Sequence, residues 1–286
     1  MTEVRHLLVI GAGTMGADLA FDLAAHGYAV TLCDIHPAAL EAAKARMAEL
    51  RRLVLFMARD RFGGLDLDGL GDRIRYTTTL VGEGVDFVIE NIIEDIDAKR
   101  ALYQELGGLV REDVVLAVNT SCISITKVGS WVPAPERVIG MHLLNPVPLK
   151  RLVEVIVGRR TSEQTLARAQ ALLASLDKSA VVVRDSPGFV TNRILMLTIN
   201  EAAWVVQDQI ADPASVDRIF TEGFSHKMGP LATGDLIGLD TILHSLEVLH
   251  ESFGDPKFRP CPLLVRMVDA GELGRKSGKG FFDYRR

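Results

Sequence analysis

One histidine of the chain stands where a general base could act. His142 follows the apolar run Val138–Met141, which predicts a buried strand, and Glu154 lies inside the next apolar run, Leu152–Val157. A carboxylate among apolar strand residues is costly to bury unpaired, and an imidazole is suited to accept a proton near neutral pH. The spacing therefore predicts a His142–Glu154 pair in which the carboxylate orients the ring. The alternative is that Glu154 faces solvent on an edge strand.

Polar residues also end another predicted strand, Val114–Val118, at the same edge of the sheet. Asn119, Thr120 and Ser121 follow it directly. Ligands of open α/β sheets lie beyond the carboxyl ends of the strands, so Ser121 is a candidate to hydrogen bond a substrate hydroxyl and Asn119 is a candidate cofactor contact. The same residue types are common in ordinary turns, which leaves a structural role open.

A glycine-rich turn follows the first predicted strand and opens the first predicted helix. Its residues run from Gly11 to Gly16, and the candidates to bind a cofactor are Gly11, Gly13, Thr14, Met15 and Gly16. The first glycine permits the tight turn, the second lets the backbone approach a pyrophosphate, and the third lets helix and strand pack closely. The free N–H groups at the start of the helix favour phosphate. This context predicts a dinucleotide-binding site.

An acidic residue selects among dinucleotides. Asp34 ends the second predicted strand, Ala29–Asp34, at a spacing that suits a carboxylate accepting both hydroxyls of the adenosine ribose. The same carboxylate would repel a 2′-phosphate, and Ile35, His36 and Pro37 supply no arginine to hold one. The sequence therefore predicts NAD rather than NADP.

The elements that must position these residues alternate between strands and helices up to about residue 185. The runs that predict strands are Val4–Ile10, Ala29–Asp34, Val85–Glu90, Val114–Val118, Val138–Met141, Leu152–Val157 and Ala180–Val183. They are nearly continuous in apolar residues, which is typical of parallel strands buried on both faces. Repeated strand–helix–strand units predict an α/β fold with a Rossmann-type, doubly wound parallel sheet.

After residue 185 the pattern becomes helical. Amphipathic stretches near 189–208, 213–223, 235–253 and 262–270 predict helices, and only Phe281–Tyr284 predicts a strand. We therefore expect an NAD-binding Rossmann domain over residues 1–185. An all-α C-terminal domain is expected over residues 186–286.

Bulk properties exclude several classes of function. The chain has 286 residues, of which 48% are hydrophobic and 24% charged, as in globular proteins with a full core. A net charge of −5 argues against general nucleic-acid binding, and no apolar run approaches the ~18–20 residues of a membrane span. The three cysteines have neither disulfide nor zinc-site spacing, and the N-terminus does not resemble a signal peptide. These features predict a cytoplasmic protein without a metal site.

Taken together, these residues resemble the 3-hydroxyacyl-CoA dehydrogenase family, which includes the bacterial 3-hydroxybutyryl-CoA dehydrogenases. The resemblance covers nearly the whole chain, and its ordered matches make it specific. The matching segments are Gly11–Gly16, Glu90–Glu94 with Lys99, Asn119–Ser121, Gly140–Pro146, Leu152–Ile156, Pro187–Arg193, Met228–Pro230 with Asp235–Asp240, and Gly274–Phe281.

The resemblance implies NAD-dependent oxidation of the 3-hydroxyl of a 3-hydroxyacyl thioester, most simply a short-chain acyl-CoA. It makes His142 the general base, paired with Glu154. It further implies that Ser121 and Asn192 lie against the reacting carbon and the carbonyl group, with Asn145 beside the base.

The resemblance also extends to the cofactor and to assembly. It implies that Glu94 and Lys99 contact the nicotinamide-side ribose or the rim of the active site. It implies further that the helical domain closes over the cleft and forms a homodimer.

Some residues depart from the family pattern and leave the acyl carrier open. The stretch Leu53–Phe62 has arginines but none of the lysines that usually meet the CoA phosphates, and Leu143 and Leu144 replace paired aromatics. Glu90–Glu94 and Asn119–Ile125 are more similar to a subgroup of polyketide extender-unit pathways, whose members oxidise a 3-hydroxyacyl group such as glyceryl on an acyl carrier protein. That reaction is the alternative, with the same chemistry at C3.

Two further alternatives are weaker on the residues present. Enzymes of the 3-hydroxyisobutyrate or 6-phosphogluconate type use a catalytic lysine on a long helix, whereas residues 189–208 contain no lysine. A non-catalytic NAD-binding protein, like the lens crystallins related to this family, would be expected to have lost the base or its carboxylate. Both His142 and Glu154 are present.

Overall fold

The computed structural model describes residues 4–285. They form two compact units, with the boundary between Asp185 and Ser186. Among the described residues, no helix is both long and apolar enough to cross a membrane.

The first unit is built on a single eight-stranded sheet with the order β3-β2-β1-β4-β5-β6-β7-β8. Its strands are β1 (His6–Ile10), β2 (Ala29–Cys33), β3 (Ile74–Thr77), β4 (Phe87–Glu90), β5 (Val115–Val118), β6 (Val138–His142), β7 (Leu152–Val157) and β8 (Ser179–Arg184). All neighbouring strands are parallel except β6 and β7, which are antiparallel. The predicted Rossmann-type fold is confirmed.

Helices cover both faces of this sheet, as right-handed crossovers require. They are α1 (Thr14–Ala25), α2 (Pro37–Met57), α3 (Arg59–Phe62), α4 (Leu70–Arg73), α5 (Ile96–Leu109), α6 (Ile125–Gly129) and α7 (Glu163–Ser175). The central strands β4 and β5 are buried at every position, because helices pack on both of their faces. α2 buries only Leu40, Ala43, Leu50 and Val54, which lie on one face of the helix.

Two features of the sheet differ from the expectation. β3 was not predicted, because Ile74-Arg75-Tyr76-Thr77 is a short, polar edge strand whose only fully buried residue is Ile74. The pairing of β6 with β7 is antiparallel rather than parallel. The connection over residues 143–151 is too short for the crossover that a parallel pair needs, so the chain returns directly.

The second unit is helical, as expected. Its helices are α8 (Thr191–Gln207), α9 (Pro213–Arg218), α10 (Pro230–Ile237), α11 (Leu239–Phe253) and α12 (Pro262–Asp269). α8, α11 and α12 share a core of apolar residues that includes Ile199, Leu246 and Leu264.

Two expectations for the second unit were wrong in detail. The single helix expected near 235–253 is broken at Gly238, whose φ of 109° is incompatible with a continuous α-helix. Phe281–Tyr284 does not form a strand, and the only pairing there is an isolated bridge between Lys279 and Asp283. Asp235 instead holds this segment, because its carboxylate accepts hydrogen bonds from the N–H groups of Phe281 and Phe282.

Candidate active site

The glycine-rich turn has the geometry of a phosphate-binding loop. Gly11 has a φ of 93°, and a Cβ there would lie 2.5 Å from the Asn91 carbonyl oxygen. A Cβ on Gly16 would lie 1.8 Å from the carbonyl oxygen of Gly11, whereas one on Gly13 would meet nothing within 4 Å. Close packing therefore requires glycine at positions 11 and 16. The space in front of Gly13 is open at the start of α1, where Thr14 and Met15 form the first turn.

Asp34 lies at the carboxyl end of β2, beside this loop. Its Oδ2 accepts a hydrogen bond from the Ala12 N–H at 2.7 Å, and its Oδ1 accepts one from the His36 N–H at 2.8 Å. These two bonds hold the carboxylate against the loop, and each oxygen keeps lone pairs for a further donor. Together with the open space at Gly13, this arrangement fits the diphosphate and adenosine ribose of NAD.

His142 and Glu154 face each other across the antiparallel pair of β6 and β7. They are direct partners in the register, and His142 Nδ1 lies 3.0 Å from Glu154 Oε2. Both side chains are buried, with 7% and 5% of their surface exposed. Because a carboxylate can only accept, Nδ1 carries the proton and Nε2 is left with its lone pair. The predicted pair is confirmed, and Glu154 does not lie on an edge strand.

Ser121 completes this arrangement on the opposite side of the ring. Its Oγ lies 3.3 Å from His142 Nε2. Nearby, Asn119 is placed by two side-chain hydrogen bonds, because its Nδ2 donates to Asn91 Oδ1 and its Oδ1 accepts from the Leu143 N–H. Asn119 thus links β5 to the residues that follow His142. Asn145 lies three positions beyond the histidine and is exposed.

Glu94 organises the turn that carries Ser121. One oxygen, Oε1, accepts hydrogen bonds from the Thr120 hydroxyl, the Ser121 N–H at 2.9 Å and the Cys122 N–H at 3.1 Å. The side chain of Glu94 keeps 28% of its surface exposed. It is therefore a rim residue whose main contact in the first unit is with the Ser121 turn.

Lys99 contacts the rim from beneath, since its Nζ lies 3.9 Å from Oε2 of Glu94. Its side chain is completely buried, and its Nζ donates to Glu90 Oε1 at 2.6 Å and to the Asn119 carbonyl oxygen at 3.3 Å. Burial raises the pKa of Glu90 to about 7, against the lowering effects of Lys99 and of a hydrogen bond from the Ile92 N–H. Lys99 therefore supports Asn119 and Glu94 from beneath, and a direct contact with a ribose stays a prediction.

The remaining predicted site residue belongs to the second unit. Asn192 lies in the first turn of helix α8. The helix follows a bend of the main chain at Gly188 and Phe189, whose φ values are 73° and 51°. Sequence reasoning did not single out Glu90. An acidic residue at the end of an otherwise apolar strand, followed nine positions later by a lysine, was the available signal.

Comparison with known proteins shows the family of the chain. Residues 6–186 match the model of the 3-hydroxyacyl-CoA dehydrogenase NAD-binding domain, and residues 188–284 match the model of the C-terminal domain of the same family. Similar proteins include a probable 3-hydroxybutyryl-CoA dehydrogenase of Bacillus subtilis, which is 44% identical over 99% of this chain and 98% of its own length. A 3-hydroxybutyryl-CoA dehydrogenase of Clostridioides difficile is 40% identical over 97% of this chain and 99% of its own.

Solved structures give the same result. The crystal structure of (S)-3-hydroxybutyryl-CoA dehydrogenase from Ralstonia eutropha superimposes with a TM-score of 0.92 at 40% identity, covering 99% of this chain and all of the other.

Proposed function

Because the chain belongs to the 3-hydroxyacyl-CoA dehydrogenase family, we propose that it transfers hydride between NAD and the C3 hydroxyl of a short-chain 3-hydroxyacyl-CoA. One observation carries this proposal. At the carboxyl ends of β5 and β6, Ser121 Oγ contacts Nε2 of His142, and Nδ1 of the same ring contacts Glu154. These contacts supply a proton acceptor at the sheet edge where such folds bind their ligands.

We assign the general base to Nε2 of His142. Glu154 holds the proton on Nδ1 and favours the imidazolium that forms when Nε2 takes the proton of the C3 hydroxyl. Ser121 lies within hydrogen-bonding distance of the same nitrogen, so its hydroxyl can orient the substrate oxygen in front of the ring. NAD, when bound, supplies the acceptor for the hydride that leaves C3.

Further residues are assigned on the family motifs. We propose that Asn145 and Asn192 contact the acyl group, with Asn192 near the thioester carbonyl. The N–H groups at the start of α1 and the Asp34 carboxylate would hold NAD, with Glu94 and Asn119 towards the nicotinamide end. Exclusion of water by the surrounding protein would strengthen each polar contact.

A substrate panel tests the proposal. NADH absorbance is followed with both enantiomers of 3-hydroxybutyryl-CoA, and the same acyl group is supplied on an acyl carrier protein. We expect turnover of the S enantiomer on CoA, as the name of the similar (S)-3-hydroxybutyryl-CoA dehydrogenase from Ralstonia eutropha suggests. Turnover confined to the carrier-protein thioester would reassign the substrate, and tight NADH binding without any turnover would remove the enzymatic function.

The second unit supports a proposal about assembly. It exposes several large apolar side chains, including Ile210, Ile219 and Phe224, whose exposed fractions are 72%, 58% and 67%. Exposed apolar side chains of this size mark a protein–protein interface when they form one contiguous patch. We propose a cytoplasmic homodimer formed through the helical unit, to be tested by light scattering with Phe224→Ser as the disrupting variant.

A further inference from the structure

A second buried lysine has no part in the mechanism described above. Lys178 precedes β8, its side chain is 0% exposed, and its Nζ lies 2.8 Å from Oδ2 of Asp22. Asp22 is also completely buried and belongs to α1, the helix that starts at the glycine-rich turn. A buried ammonium group is costly unless it is paired and hydrogen bonded, so its other contacts are informative.

Beside this ion pair, two N–H donors of Lys178 bind one turn of the main chain. They donate to the carbonyl oxygens of Val147 at 2.7 Å and Lys150 at 2.8 Å. These residues lie in the segment 146–150, which joins β6 to β7 and is called the β6–β7 turn below. Lys178 therefore connects both ends of this turn to the cofactor helix through Asp22.

A second cation holds the middle of the same turn. Arg61 donates to the Pro148 carbonyl oxygen at 2.8 Å, and only 7% of its side chain is exposed. The Pro146 carbonyl oxygen accepts from the N–H groups of Leu149 and Lys150. Four of the five carbonyl groups in the β6–β7 turn thus have donors from the protein, and two of these depend on Lys178.

The position of this turn bears on the catalytic pair. β6 ends at His142 and β7 begins at Leu152, so the β6–β7 turn determines how Glu154 meets the imidazole ring. Since α1 carries the glycine-rich turn, the ion pair between Asp22 and Lys178 also fixes the distance from the histidine to the cofactor loop. A shift of about 1 Å between reacting groups can cost on the order of 10²-fold in rate.

We propose that Lys178, together with Asp22, is a positioning residue that fixes the His142–Glu154 pair relative to the cofactor helix. This inference rests on the proposed function. It assigns a kinetic role to two residues that touch neither the imidazole ring nor the glycine-rich turn.

The same helix provides a matched control. Asp18 lies one turn before Asp22 on α1 and is equally buried, and its Oδ1 accepts a hydrogen bond from Arg46 Nε at 2.5 Å. Arg46 belongs to α2, so this pair ties α1 to another helix and not to the β6–β7 turn. Replacing it changes the buried charge of α1 by the same amount without releasing that turn.

The test replaces each pair with apolar residues, so that no uncompensated buried charge is left. Asp22→Leu/Lys178→Met is compared with Asp18→Leu/Arg46→Met. The measurements are kcat and KM with acetoacetyl-CoA, the dissociation constant for NADH, and amide hydrogen exchange at Leu149 and Lys150. We expect the first double variant to lose about 10- to 100-fold in kcat, with NADH binding changed less than about threefold and faster exchange at both amides. The control should keep kcat within about threefold.

Further variants keep the proposal falsifiable. If the apolar pair does not fold, Asp22→Asn/Lys178→Gln retains polar groups in the core, but the shorter amide cannot reach both carbonyl groups, so the same loss is expected. The conservative variant Lys178→Arg keeps the positive charge and should retain most of the wild-type kcat.

Two outcomes would overturn the inference: a folded Asp22→Leu/Lys178→Met protein with kcat within threefold of the wild type, or an equal loss in the control. An inactive wild-type protein would refute the proposed function itself, and the inference with it. An active wild type with an unchanged variant refutes only the inference.

Discussion

Two carboxylates lie inside the same sheet, and their partners give them different tasks. Glu90 at the end of β4 pairs with the ammonium group of Lys99, whereas Glu154 in β7 accepts a hydrogen bond from the imidazole of His142. Both carboxylates are almost completely buried. A lysine ammonium is a fixed positive charge near neutral pH, whereas an imidazole can gain and lose a proton there. The partner of the carboxylate, and not its burial, therefore decides which pair can do chemistry.

The surroundings of the two pairs agree with this difference. Glu90 also accepts from the Ile92 N–H, and Lys99 also donates to the Asn119 carbonyl, so the contacts of this pair stabilise main chain. The other pair leads outward, since the second nitrogen of His142 meets the Ser121 hydroxyl. The Glu90–Lys99 pair supports the main chain around Asn119, whereas the His142–Glu154 pair acts on the bound substrate.

The largest expected effect comes from removing the imidazole. His142→Gln should lower kcat by about 10²–10⁴-fold, because the imidazole is the group that we assign to take the hydroxyl proton. NADH affinity, measured by fluorescence titration, should remain within about threefold, since the ring contributes nothing to the glycine-rich turn. Turnover close to that of the wild type would show that another group is the base.

The matching change in the other pair should act on stability instead. Lys99→Met leaves Glu90 buried without its counter-charge, which should reduce the free energy of unfolding by about 3–5 kcal/mol. Urea denaturation measures this effect, with Arg100→Met as the exposed neighbouring control. If kcat of the folded Lys99→Met protein fell as far as in His142→Gln, the division between a supporting and a reacting pair would be wrong.

A smaller effect should appear in the pH dependence of stability. Burial raises the pKa of Glu90 to about 7 in the folded protein, above its ordinary value of 4.5. Between these two values the folded state binds more protons at Glu90 than the unfolded state, so this group's contribution to stability falls as the pH rises. The fall amounts to roughly 3 kcal/mol.

A comparison between proteins isolates this contribution. The free energy of unfolding is measured from about pH 5 to about pH 7.5 for the wild type and for Glu90→Gln/Lys99→Met, and the difference between the two curves is taken. We expect that difference to shift in favour of the double variant as the pH rises. A difference independent of pH would contradict the assignment.

The sequence was sufficient to predict most of the fold and the reacting pair. Apolar strand runs and the glycine-rich turn are local patterns, and they give the Rossmann-type sheet directly. The pair of His142 and Glu154 was predictable because an acid in an apolar strand demands a partner, and the preceding strand offers one.

The sequence alone could not predict which side chains from distant elements would pair with each other. Lys99 belongs to a family motif, yet its direction beneath the loop depends on the packing of α5 against the sheet. Asp22 and Lys178 are more than 150 positions apart and meet only in the folded first unit. The edge strand β3 is too polar to be recognised as a strand, and the break at Gly238 depends on one backbone angle.

The most direct test of the account is single-turnover hydride transfer measured by stopped flow in Glu154→Gln, with Glu90→Gln/Lys99→Met as the control. The account predicts about a 10²-fold slower step in Glu154→Gln, because the amide cannot stabilise the imidazolium, and a change of less than about fivefold in the control. A Glu154→Gln protein that transfers hydride at the wild-type rate, or a control that is equally slow, would contradict it.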